Sequence, residues 1–341
     1  MSNLNLQTLR RVAWIGLAVV LVVDFLLSTR ATAGANTGAV VLLVLTLLTG
    51  LAAWLLLPEA AGTLLRHKDL LVPFALAVVA NKLILWVSML PLLGGLLGAS
   101  LPLHLFNLSL ALSLGLLLYV VVSVAYAVWM TATLLEFARS GNPDPCRMLA
   151  SVPRHFWRVF GLQFICWAAV MLAVALMLAL MPALSFFALL PLAVFAVVWN
   201  LATAALLPVA LEHPGGFWDS FRDGVRVSWG QRGRWWMLIM VQLLLLGVVF
   251  YYHSRHGGST NTSWSINVFW TGGYAEDGKW YSKLAEAMKV TRLPLVETLL
   301  ALLFGAFAVA IKLAIVQRLQ PEPPPLMADD PAPEVPPSPA T

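Results

Sequence analysis

Apolar stretches of about 20 residues, long enough to cross a hydrocarbon core about 30 Å thick as helices, recur along this chain. They fall at roughly 12–29, 39–57, 70–93, 103–135, 159–181, 184–211, 235–252 and 294–316. Most are bounded by Pro58, Pro91, Pro102, Pro182, Pro214 or Pro294, residues that interrupt a helix ladder. A soluble fold is excluded by composition: 11% of the residues are charged, against about 25% in soluble domains. The pattern predicts an all-α chain, a polytopic transmembrane helical bundle. About eight spans are expected in tandem hairpins, with interfacial amphipathic helices.

Orientation follows from the arginines and lysines of the short loops. Arg10, Arg11, Arg66, Lys68, Arg139, Arg147, Arg154, Arg158, Arg222, Arg226, Arg232, Arg234 and Arg318 fall on one side. The other side holds Arg30 and one long loop, 253–293, which weighs little in this rule. Both termini are therefore expected in the cytoplasm, with the chain in a bacterial inner membrane. The net charge of +5 belongs to these loops rather than to a nucleic-acid surface. No small-residue cleavage site precedes Asp24 and Arg30, so the first apolar run is read as a retained helix. Residues 1–319 form the expected transmembrane domain. The proline-rich segment 320–341 is expected to be a disordered cytoplasmic tail. Cys146 and Cys166 supply no disulfide framework.

Three apolar runs end on a carboxylate, at Glu59, Glu136 and Glu212, spaced by 77 and 76 residues. That regularity points to repeated helical hairpins. Two of these carboxylates precede basic-aromatic helix starts, HFWRVFGLQ (155–163) and RGRWWMLIM (232–240). Trp157, Arg158, Arg234 and Trp235 are read there as interface anchors. Between them GFWDSFRDGVRVSW repeats Phe217, Phe221 and Val225 every four residues, an interfacial helix by its spacing. A carboxylate at a helix C-terminus is unfavourable by up to about 1 kcal/mol, so two compensating pairs are expected. These join Glu136 to Arg154 or Arg158, and Glu212 to Arg232 or Arg234. The hairpin with its glutamate, amphipathic stretch and aromatic-basic helix start, over roughly 120–250, resembles the membrane domain associated with some glycerophosphoryl diester phosphodiesterases. The resemblance implies a membrane fold; it carries over no catalytic residue, because the acidic-histidine metal motifs of the soluble phosphodiesterase are missing from this sequence.

Lys82 stands in VVANKLILW and Asp24 in VVDFLL, each inside an apolar run. Asp24 lies 13 residues beyond Arg11 and Lys82 lies 14 beyond Lys68. If both helices run outward, the two charges share a depth. An unpaired ion there costs at least about 2.5–3.5 kcal/mol, so an intramembrane pair is expected, either a static pin or part of an ion path. The repeat offers a rival. Lys82 follows Glu59 by 23 residues, much as Arg158 and Arg234 each follow Glu136 and Glu212 by 22. In that register Lys82 is an interface anchor, and 70–80 is a re-entrant or interfacial segment. Glu297 and Lys312, near opposite ends of the last span, are read as snorkelling side chains.

In the outer loop, Trp264 and Trp270 sit in a short extended pattern, and Trp280 and Tyr281 open a helical one. These aromatics form an expected contact surface for the membrane interface or a partner. His253 and His256 are too few for zinc, and no nucleophile, Walker or dinucleotide motif is found. No catalytic residue, metal or cofactor is therefore assigned. The sequence reads as a non-catalytic interaction or scaffold component contacting membrane lipids and other membrane or envelope proteins, with no nucleic acid. The alternative is a transporter or permease subunit using Asp24 and Lys82.

Overall fold

The computed structural model describes residues 6–29, 54, 57–96, 101–184, 189–213, 215–233, 235–236 and 294–319. Nearly all of the apolar segments 39–57 and 235–252, all of the outer loop with Trp264, Trp270, Trp280 and Tyr281, and the tail 320–341 lie outside them. Among the described residues every regular element is helical. They are α1 (Leu6–Thr29), α2 (Pro58–Arg66), a 3-10 turn (Lys68–Leu71), α3 (Val72–Leu96), α4 (Leu101–Ser140) and α5 (Pro145–Leu149). They continue with α6 (Val152–Leu184), α7 (Leu189–Thr203), α8 (Leu206–Glu212), α9 (Phe217–Gly230) and α10 (Pro294–Leu319). Two stretches, Ser113–Ser140 in α4 and Val152–Ala173 in α6, are long and apolar enough to cross a membrane.

Several helix boundaries depart from the sequence reading, each for a local reason. Pro58 occupies the first turn of α2, where a missing N–H is harmless, so Glu59 opens a helix instead of closing one. Its carboxylate then meets the positive end of the helix dipole, a stabilising placement. Pro91 does not end α3, which continues to Leu96, and the stretch 72–80 is the first part of one continuous 25-residue helix. The expected single span at 184–211 is broken into α7 and α8 at Ala204 and Ala205. Pro208 has no N–H for the carbonyl four residues earlier and its ring crowds that carbonyl, which places the break at Ala204. The Ala205 N–H freed by the break donates to Ser228 Oγ at 2.9 Å.

α1 and α3 pack in parallel: Arg10 meets Asp69, Gly16 faces Val79, and Asp24 meets Lys82, so both chains advance together. A Cβ at Gly16 would stand 3.1 Å from Val79 Cγ2, so the glycine sets how closely the two helices approach. The largest core cluster joins Phe74, Ala77 and Val78 of α3, Val124, Ala127 and Met130 of α4, and Val309 to Val316 of α10.

Apolar side chains fill the core and also cover much of the outside, while three charged side chains are enclosed. Val12, Ile15, Val19, Val22 and Leu26 of α1 are 50–63% exposed, whereas Asp24, Lys82 and Lys312 are at most 2% exposed. Soluble proteins seldom bury ammonium groups while displaying a continuous apolar stripe.

Candidate functional site: an enclosed charge cluster

α1, α3 and α10 converge on Asp24. Lys82 Nζ lies 3.1 Å from Asp24 Oδ2, and the Thr298 hydroxyl donates to the same oxygen at 2.6 Å. All three side chains are buried. At an effective dielectric of about 20, two unit charges at this 3.1 Å separation attract by about 5 kcal/mol. Removing both ions from water offsets much of that, so the hydrogen bond from Thr298 matters to the balance. Chemically, a carboxylate, an ammonium and a hydroxyl at contact distance can fix three helices to one another, or can pass a proton between them.

A second enclosed ammonium, Lys312 of α10, lies 5.3 Å from the centre of the Tyr126 ring on α4. This corrects the snorkelling expectation, because Lys312 is fully buried. Fourteen residues separate it from Thr298, about 21 Å along a helix axis. The cation over a ring face is stabilised by about 2 kcal/mol or more when desolvated. The side chain of Glu297 lies outside the described ones.

The helix-end carboxylates find other partners than those expected. Glu136 Oε1 pairs with Arg147 at 3.5 Å, from the short helix α5 directly after its own. Glu212 Oε1 pairs with Arg139 at 2.7 Å, across to the end of α4. Arg154 and Arg158 are not the partners of Glu136. Arg158 turns to the end of α8, where it donates to the carbonyls of Ala210, His213 and Gly215 at 3.0, 2.8 and 2.7 Å. It thus satisfies the orphan acceptors of a helix C-terminus, with its charge placed favourably for the dipole. His213 Nε2 meets Asp223 Oδ2 at 2.8 Å and holds α9 to the same corner.

Of the expected interface anchors, Trp157 is 76% exposed, whereas Trp235 is completely enclosed in the main core cluster. The Trp235 indole fills space between helices rather than marking a surface. Arg234 lies outside the described residues. At the opposite end of α1, Asp69 accepts from both Nε and Nη2 of Arg10, which holds that guanidinium above its ordinary pKa. Burial, aided by the charges of Asp144 and Asp69, pushes the Cys146 thiol up.

Among the described residues no three histidine, cysteine or acidic side chains gather as a metal site would require. Among the described residues these features define an all-α protein with a displayed apolar stripe and three enclosed charges. No family model, curated protein or solved structure matches the chain.

Proposed function

We propose that the chain is an integral membrane protein of the bacterial inner membrane, with about eight spans, both termini cytoplasmic, and a non-catalytic role as a scaffold or interaction component. One observation carries the reading: the apolar stripe of α1 is displayed while Asp24, Lys82 and Lys312 are enclosed. The parallel course of α1 and α3 supports the hairpin scheme. Parallel neighbours need the chain to travel back between them, and the apolar segment 39–57, about 29 Å long as a helix, has the length to recross a hydrocarbon core of about 30 Å. The exposed aromatics and the proline-rich tail supply surfaces for membrane lipids and for other membrane or envelope proteins. The resemblance over 120–250 to the phosphodiesterase-associated membrane domain enters at the level of architecture alone.

Reporter fusions after Glu59, Glu136 and Glu212 test the topology. All three are expected on the cytoplasmic face, and one on the opposite face overturns the scheme. Affinity capture of the full chain tests the scaffold, which requires a stoichiometric partner whose binding needs no added solute.

A second reading, transport, draws on the buried Asp24–Lys82–Thr298 contact, because intramembrane ionisable groups are typical of ion paths. Proton or solute flux into vesicles, abolished by Asp24→Asn in a folded protein, selects transport over the scaffold.

A further inference from the structure

We propose that the outward face of α9 is a binding surface for the headgroups of anionic phospholipids, an assignment that rests on the membrane reading above. The sequence pattern places Phe217, Phe221 and Val225 on the face that meets the bilayer. In the structure the inward face is a different one. Ser220, Gly224 and Ser228 are buried, and a Cβ on Gly224 would stand 2.9 Å from the Leu206 Cα. Ser228 Oγ accepts from the Ala205 N–H and donates to the Gly224 carbonyl, locking the helix onto the α7–α8 break. Phe217 and Phe221 are half-buried against Leu162, Cys166, Leu206 and Ala210. The side chains this leaves exposed are Trp218, Asp219, Arg222, Arg226 and Trp229, with the two tryptophans and two arginines spaced four, four and three residues apart on one helix face.

On that face and its edge three guanidiniums, of Arg222, Arg226 and Arg232, outnumber the carboxylates of Asp219 and Asp223. Asp223 is engaged by His213, and Asp219 lies in the first turn, beside the positive end of the helix dipole. Arg232 follows, with its guanidinium 5.2 Å from the Trp229 ring centre and its Nη1 donating to the Trp229 carbonyl at 2.9 Å. Two guanidiniums between two exposed indoles, with a third just beyond, match a layer in which phosphates sit at the depth of aromatic belts. Planar guanidiniums suit phosphate oxygens bidentately, and the rigid seating of α9 keeps them in place before the lipid arrives.

The test uses the full chain in nanodiscs of equimolar phosphatidylglycerol and phosphatidylcholine, with the retained lipids counted by native mass spectrometry. The wild type is expected to retain phosphatidylglycerol in excess. R222Q/R226Q is expected to lower that preference roughly 30-fold, given the contribution of each basic residue near an anionic surface. R222K/R226K, which keeps the charge, is expected to retain most of it. No preference in the wild type, or a preference that survives in R222Q/R226Q, overturns the assignment. Displacement of the lipid by millimolar inorganic phosphate also overturns it, in favour of a free-anion site. A chain that alkaline carbonate strips from native membranes refutes the membrane reading itself, a result distinct from any of these.

Discussion

Lys82→Met removes the ammonium and leaves the Asp24 carboxylate enclosed with Thr298 as its remaining hydroxyl partner in the trio. The attraction lost is about 5 kcal/mol at 3.1 Å and an effective dielectric near 20. Part of this returns because the ammonium no longer has to be desolvated, so the net loss is expected at about 3–5 kcal/mol. Asp24→Leu is expected to cost a similar amount, since it removes the carboxylate that the buried ammonium meets. The double variant removes both charges of this pair from the interior. Methionine matches lysine in volume, while leucine keeps the branched shape of aspartate at a larger volume, so the double variant is expected to lose less stability than either single variant. The coupling between the two positions is then at least about 3 kcal/mol, far above the few tenths seen for independent sites. Unfolding in bicelles, driven by added dodecyl sulfate and followed by the quenching of buried tryptophans, supplies the four free energies. Additive losses, with the double variant as unstable as the two singles combined, would refute the idea that these groups are held by each other.

Other expectations follow from contacts around the α8–α9 corner and at α5. Arg158→Leu leaves three carbonyls of the α8–α9 corner without this donor and is expected to destabilise by about 1.5–3 kcal/mol; Arg158→Lys, lacking the planar fork, restores less than half in the same unfolding assay. Glu212→Gln breaks an exposed pair with Arg139 and is expected to change stability by less than about 1 kcal/mol, with the difference vanishing in high salt. Gly224→Val drives a side chain into Leu206 and is expected to lift α9 away, read as new tryptic cleavage at Arg222 and Arg226. The raised pKa of Cys146 keeps its thiol protonated at a pH where an ordinary thiol is already ionised. Its alkylation by iodoacetamide is therefore expected to rise with pH along a curve displaced upward, and Asp144→Asn is expected to bring that curve down.

The interior pair was legible because charges in apolar runs are rare, and because the two residues stand at nearly equal distances from their basic helix starts. Thr298 was not legible: a hydroxyl 274 positions from its acceptor leaves no trace in local pattern. Charge spacing also suggested the wrong partners for Glu136 and Glu212, since the next loop offers several arginines and only the folded corner decides which reach. Glu59 resembled the other two carboxylates in context, yet the adjoining Pro58 makes it a helix beginning. In α9 the hydrophobic rhythm of Phe217 and Phe221 hid a stripe of small residues at positions 220, 224 and 228. Close packing selects for small residues at the centre of the contact, so hydrophobicity alone finds the flank held by Phe217 and Phe221 and misses the centre.

The account rests on the displayed faces of α1, α4 and α6 meeting lipid, and spin labels in the reconstituted protein test this most directly. Labels at Val22, Leu117 and Leu172, all exposed in the fold, are expected to be relaxed strongly by dissolved oxygen and weakly by a water-soluble nickel chelate. Labels at these three positions that respond chiefly to the chelate would place the apolar faces in water and contradict the account.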